Sequence, residues 1–226
     1  MVQERSRARK APAPARRRPA APQSLRVQAK HQRRRDQVLH AALLAFRDRG
    51  YHDTTLDHIA TRLGVRKTAL YHYFPDKEAI LYACHQESLA ELARILAEAK
   101  KLRTAAGQLR HVVKEHVRVM VETLEASPLA FEVAAMSPAR QREVIAARDV
   151  YERALRRMID RGIKERSFHK VDSKIAVFAI LGAINWIARW YKPEGRLQAP
   201  ELGAQFADHL VGGLARGSLV RGGGAA

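Results

Sequence analysis

Ten histidines and one cysteine are the residues of this 226-residue chain with the chemistry for metal binding or nucleophilic catalysis. Their spacing supports neither. No His-Glu-x-x-His sets two imidazoles on one helix face, the cysteine has no second to pair with, and no Gly-x-Ser-x-Gly turn presents a nucleophile. His111 and His116 are five apart, which turns them off a shared helix face. The histidines read as exposed or capping residues. No catalytic residue, cofactor or metal is expected, and the chain does not read as an enzyme. A lone Cys84 forbids an intramolecular disulfide and fits a reducing cytoplasm. The glycines of the C-terminal "RGGGAA" lack the preceding strand and following helix of a phosphate cradle.

Non-covalent chemistry is richer. The stretch "KTALYHYFPDKEAIL", Lys67 to Leu81, sets Tyr71, His72, Tyr73 and Phe74 side by side. Neighbours on a helix point in different directions, so some of these rings must face away from the core. Hydrogen-bonding rings beside Lys67 and Thr68 suit a polar, anionic partner. Overall charge agrees: the formal net charge is +18 and the pI about 10.7, which favours a polyanion. Residues 1–35 carry twelve of the Lys and Arg and a single acid, Glu4, with four prolines and little apolar surface. Residues 1–32 read as a disordered basic tail, either merely solvated or adding non-specific phosphate contacts. The tail has no apolar core of a secretion signal.

The elements that must position these groups are helices, and the expected fold class is all-α. Val38, Leu39, Ala42, Leu43 and Phe46 recur at helical spacing up to Gly50. Thr54 and Thr55 are placed to cap a second helix, whose Leu56, Ile59, Ala60 and Leu63 form one apolar face. Gly64 breaks it. A short helix is expected from Lys67 to Phe74, stopped by Pro75, and Asp76 caps a long one to about Leu102. Further helices are expected near Ala105–Glu125, Leu129–Met136, Ala139–Lys164, Asp172–Tyr191 and Pro200–Ala215, with 217–226 a flexible tail. The longest apolar run, Ile175 to Ala188, is too short for the roughly 20 residues of a membrane span.

Two short helices joined by Gly64-Val65-Arg66 fit a helix-turn-helix, with Ala60 small at the crossing and Val65 and Leu70 beneath the second helix. That second helix would enter the major groove of DNA by its N-terminal residues. Leu70 and Phe74, at i and i+4, face inward and leave Tyr71 and His72 outward; Tyr73 can go either way. "FRDRGYHDTTLDHIATRLGVRKTALYHYFPDKEAIL", Phe46 to Leu81, resembles the TetR family of bacterial repressors. The motif spans about Arg33 to Tyr82, and the likeness implies a three-helix DNA-binding domain (33–82) before a helical ligand-binding and dimerisation domain (83–216). It implies that Thr55 caps its helix and touches phosphate, that Lys67, Thr68, Ala69, Tyr71 and His72 face the groove, and that Lys77 meets phosphate. Arg66 departs from the Ser or Thr common there. It is a poor N-cap and opposes the helix dipole unless phosphate lies nearby, so it is expected to bind phosphate.

Such repressors bind palindromic duplexes as two-fold homodimers through their last two helices. Here those helices offer Ile175, Phe178, Ala179, Gly182 and Trp186, then Leu202, Phe206, Leu210 and Leu214. Met120, Leu124, Phe131, Met136, Tyr151 and Met158 are candidates for an effector cavity, or simply core. "NWIARWYKPEG", Asn185 to Gly195, resembles the members of the family that answer to acyl-CoA thioesters. Trp186 would then touch the ligand and Arg189 the CoA phosphates. Alternatively, the Trp and Tyr residues only anchor the helix end. Two other readings remain at this point: a non-specific nucleic-acid coat driven by the basic tail, and a tail that attaches to anionic lipid.

Overall fold

A computed structural model describes residues 23–123 and 128–216. The chain divides into two units, Met1–Arg34 and Arg35–Ala226, and every contact given below lies within the second. Eight α-helices follow one another among the described residues. Helix α1 (Gln23–Arg49) begins inside the stretch expected to be tail. Past Pro22 the run contains no Gly or Pro, and Leu25, Arg26, Gln28, Ala29 and Lys30 are good helix formers, so helix extends there. The rest of the basic tail and residues 217–226 lie outside the described residues.

Helix α1 ends as expected at Gly50, whose φ of +80° suits glycine. Its inner face, from Val38 to Phe46, packs on Ile59 and Ala60 of α2 (Leu56–Arg62), with Leu70 of α3 (Lys67–Leu70) and Phe74 just beyond it in the same core. Gly64, at φ +65°, turns the chain between α2 and α3. Helix α3 is a single turn; Tyr71 to Tyr73 continue as a non-helical turn rather than as helix up to Phe74. Asp76 then caps α4 (Lys77–Ala99), accepting from the Ala79 N–H at 2.6 Å.

Helix α5 (Ala105–Arg118) lies at the centre of the larger domain, against α4, α6 and α8. It does not run on as α-helix to Glu125. From Val119 to Thr123 it widens into a π-helical turn. The expected helix near 129–136 is two 3₁₀ turns, Leu129–Phe131 and Val133–Ala135. Helices α6 (Pro138–Lys164), α7 (Ser173–Trp190) and α8 (Ala199–Gly212) match their expected spans to within a few residues. Between α6 and α7 the chain closes tightly. The Phe168 ring fills the space where a side chain on Gly162 would sit, and Phe168 forms an antiparallel bridge with Ala215. No helix among the described residues is long and apolar enough to cross a membrane.

Candidate nucleic-acid interface and inner cavity

Thr54 and Thr55 divide the work expected of both. Thr55 caps α2: its Oγ1 accepts from the His58 N–H and His58 Nδ1 accepts from the Thr55 N–H, both at 3.2 Å. A histidine here fills the place of Glu in a capping box, which requires Nδ1 without its proton. Thr54 is buried, and its hydroxyl faces the carbonyls of Gly50 (2.7 Å) and Ala45 (3.1 Å), locking the end of α1 instead of capping.

On and just after α3, Leu70 and Phe74 are buried, while Arg66, Lys67, Thr68 and His72 are exposed and Tyr71 is 50 % exposed. Ala69 is half-buried, and Tyr73 packs partly on the core. The helix is short because Arg66 supplies no side-chain cap and Pro75 follows closely. It is held by what it buries, which leaves the rim free for a partner. Lys67 Nζ donates to Asp57 on α2 at 2.8 Å, and this hydrogen bond and charge hold the Lys67 pKa above its ordinary value. The pair is exposed, so exchange of the carboxylate for another anion is easy.

Lys77 differs from expectation. Its ammonium donates to the carbonyls of Tyr51 (2.7 Å), His52 (3.1 Å) and Thr54 (2.7 Å) and lies 4.3 Å from the centre of the Tyr51 ring. An ammonium has three protons. All are engaged, so none is left to meet phosphate. Lys77 ties the α1–α2 loop to the start of α4, and burial lowers its pKa.

A cavity of about 220 Å³ lies among α4, α5, the π turn, α6 and α7. Leu89 and Leu92 of α4, Met120 of the π turn, Leu129 and Leu181 supply apolar walls; His85, His116, Arg148, Tyr151 and Asn185 supply polar ones. The π turn rotates Met120 into this lining, a local irregularity of the kind that recurs at functional sites. His116 Nδ1 is 3.2 Å from the Tyr151 hydroxyl, ring edge to face. Burial, then the nearby Arg148 charge, hold both histidines neutral: His85 is lowered to about 3 and His116 to about 4. Burial also raises the Tyr151 pKa and lowers that of Arg148.

Met120 and Tyr151 therefore line the cavity as the sequence reading placed them. Phe131 does not: it is 47 % exposed with the Arg189 guanidinium 5.3 Å from its ring centre. Trp186, 58 % exposed, and Arg189 lie on the outer side of α7, and Met136 and Met158 are ordinary core. Leu124 lies outside the described residues. The expectation that the histidines are exposed or capping holds for His31, His40, His52, His72 and His209, which are exposed, and for His58, which completes a cap; it fails for His85 and His116, which are buried. The missed signal was periodicity: Leu81, His85, Leu89 and Leu92 share one helical stripe, as do Leu109, Val112, His116 and Met120. A polar residue on a buried stripe marks a cavity or a buried hydrogen bond.

Comparison with known proteins adds to this geometry. Residues 38–84 match the model of the bacterial regulatory proteins of the tetR family, and residues 103–214 that of the tetracyclin repressor-like C-terminal domain. The solved TetR-family transcriptional regulator PfmR from Thermus thermophilus is 31 % identical, covering 79 % of this chain and 99 % of its own, with a TM-score of 0.70. The chain belongs to the TetR family. As a TetR-family protein it is a sequence-specific DNA-binding transcriptional regulator, and this sets aside the non-specific coat. The transcriptional repressor KstR2 of Mycolicibacterium smegmatis is 27 % identical over 80 % of this chain and 90 % of its own. AibR, solved in complex with isovaleryl coenzyme A and operator DNA, is 25 % identical over 80 % of this chain and 98 % of its own, with a TM-score of 0.69.

Proposed function

We propose that this TetR-family protein is a homodimeric repressor that reads a palindromic operator with the rim of α3 and is released by a small acyl effector, an acyl-CoA thioester, bound in the inner cavity. The observation that carries the reading is the division of α3 and the turn after it: Leu70 and Phe74 buried, with Arg66, Lys67, Thr68, Tyr71 and His72 outward on one short rim. Thr55, at the head of α2, would add a phosphate contact, and Ala69 a close backbone approach. Arg66 replaces a capping residue with a cation, which favours a phosphate at the start of α3. Lys77 is left out of this set because its protons are engaged.

The dimer surface is the outer face of α7. Ile175, Phe178, Trp186 and Trp190 are all exposed, with Ala179 and Gly182 between them, an apolar stripe unusual for a surface helix. Helix α8 contributes less than its spacing implied. Leu202 and Leu214 are buried within the chain: Leu202 on the edge of α8 that lies on α5, where Gly203 meets the Lys114 carbonyl, and Leu214 past the end of α8, where its carbonyl accepts from the His169 N–H. Phe206 stays half-buried and stacks with Trp190 at 6.4 Å, which leaves it at the rim of the α7 face. The effector reading draws on the KstR2 and AibR likenesses and on the cavity. At about 220 Å³ the cavity is smaller than the roughly 300–1,000 Å³ of sites for drug-sized ligands, which suits a short acyl end.

Selection of bound duplexes from random DNA, repeated with short-chain acyl-CoA, tests the whole reading. A two-fold symmetric site enriched at least about a thousandfold over random duplex, and lost on adding the thioester, is the expected result. Enrichment without symmetry, or a site indifferent to every acyl-CoA, contradicts it.

A further inference from the structure

Resting on the effector cavity just proposed, we infer that His85 is its specificity-determining hydrogen-bond donor, and that its Nε2–H takes the acyl oxygen of the ligand while the aliphatic part lies on Leu89, Leu92, Met120, Leu129 and Leu181. The geometry fixes the proton. A guanidinium nitrogen of Arg148 lies 3.4 Å from His85 Nδ1. A guanidinium has donors only, so Nδ1 accepts and the single proton of the neutral ring sits on Nε2. His85 is 1 % exposed, and its Nε2 has no hydrogen-bond partner among the described residues. A buried N–H without an acceptor is costly and rare. An oxygen brought by a ligand removes that cost, and a ligand of equal shape without one does not.

The surrounding charges select the same chemistry. Arg148 brings positive charge beside His85. Of the two carboxylates at the cavity, Glu152 is held by the Arg156 charge at 2.8 Å, although its Oε1 accepts no hydrogen bond among the described residues, and Asp149 is exposed. The Tyr151 hydroxyl is engaged with His116 on the other wall. At the His85 end, an alkylammonium would bring donors to the donors of His85 and Arg148. A thioester carbonyl or a carboxylate brings an acceptor, and both offer the same oxygen.

The test uses the full chain, with binding of butanoyl-CoA, free butanoate and butylammonium measured by calorimetry on wild type, His85→Gln, His85→Phe and the cavity-filling Leu89→Trp. Butanoyl-CoA or butanoate should bind wild type and butylammonium should not; which of the two binds tells thioester from free acid. His85→Gln keeps an N–H and should stay within a few-fold of wild type. His85→Phe should lose about tenfold or more. Leu89→Trp should abolish binding. Binding blocked by Leu89→Trp but unchanged in His85→Phe overturns the role of His85 and leaves the cavity as the effector site. Binding indifferent to Leu89→Trp, or absent for every acyl compound, overturns the cavity reading and this inference with it. Folding of the variants is not required for a second readout. In wild type, ¹⁵N spectra of the histidine side chains should show His85 as the Nε2–H tautomer, its proton moving downfield when the ligand is added. An Nδ1–H tautomer contradicts the assignment.

Discussion

Lys67 and His85 are eighteen residues apart and work in opposite ways. Lys67 is exposed and charged, and its partner is a still more exposed carboxylate. His85 is buried and neutral, with one N–H that nothing among the described residues accepts. Around Lys67, polar groups contribute little to folding and are available for exchange with a partner. Around His85, polar groups are built into the fold, and their protonation is tied to stability. The difference teaches where to look for each effect: substitutions on the rim of α3 should move DNA affinity and leave melting alone, whereas changes at the cavity should move melting first.

Acid should strain the cavity most. Both His85 and His116 have folded pKa values below the ordinary 6.5, at about 3 and about 4. Above pH 6.5 they are neutral whether the chain is folded or not, and their contribution to stability is fully present. Below pH 6.5 the unfolded chain gains protons that the folded chain refuses, so stability falls until pH approaches the folded values. Each site can contribute up to about 1.4 kcal/mol per pH unit across that window. Denaturant melts of wild type and His116→Gln between pH 7 and 5 should show a shallower fall in the variant. Parallel curves would break the contrast by showing that His116 titrates normally.

Next in size is the contrast between two lysines. Lys77→Met removes three donors to carbonyls of the α1–α2 loop and should cost about 2 kcal/mol in chemical unfolding, with the salt dependence of DNA binding unchanged. Lys67→Ala should do the reverse. Operator affinity should fall about tenfold, the slope of log affinity against log salt should drop by about one, and the melting temperature should stay in place. If Lys77→Met lowered the salt slope while leaving the fold intact, the assignment of its protons to carbonyls would be wrong. The smallest effect sharpens the same point. Asp57→Asn releases Lys67 and removes a charge that opposes DNA, and operator binding should tighten a few-fold in a gel-shift titration.

Much of the reading end was legible in the sequence, because short-range rules govern it. Gly50 and Gly64 both adopt the positive φ that their position as breakers implied, and Leu70 and Phe74 turn inward as their i, i+4 spacing required. Lys77 was misread because its acceptors lie 23 to 26 residues back in the chain, where no local rule reaches. The cavity was half legible. Met120 and Tyr151 were found by type, whereas His85, Arg148 and Asn185 depend on how α4, α6 and α7 meet. Helix α8 shows the same limit. Its apolar stripe was plain, but whether α5 or a second chain covers it is decided by packing, and Leu202 is buried where α8 lies on α5.

The account rests on the outward rim of α3 as the reader of base sequence, and Tyr71, half exposed over a buried Leu70, is its least ambiguous member. Binding of the folded, paired Tyr71→Ala protein to the preferred duplex and to random duplex tests this directly. Affinity for the preferred site should fall at least about tenfold while affinity for random duplex stays the same. An unchanged preference ratio would contradict it.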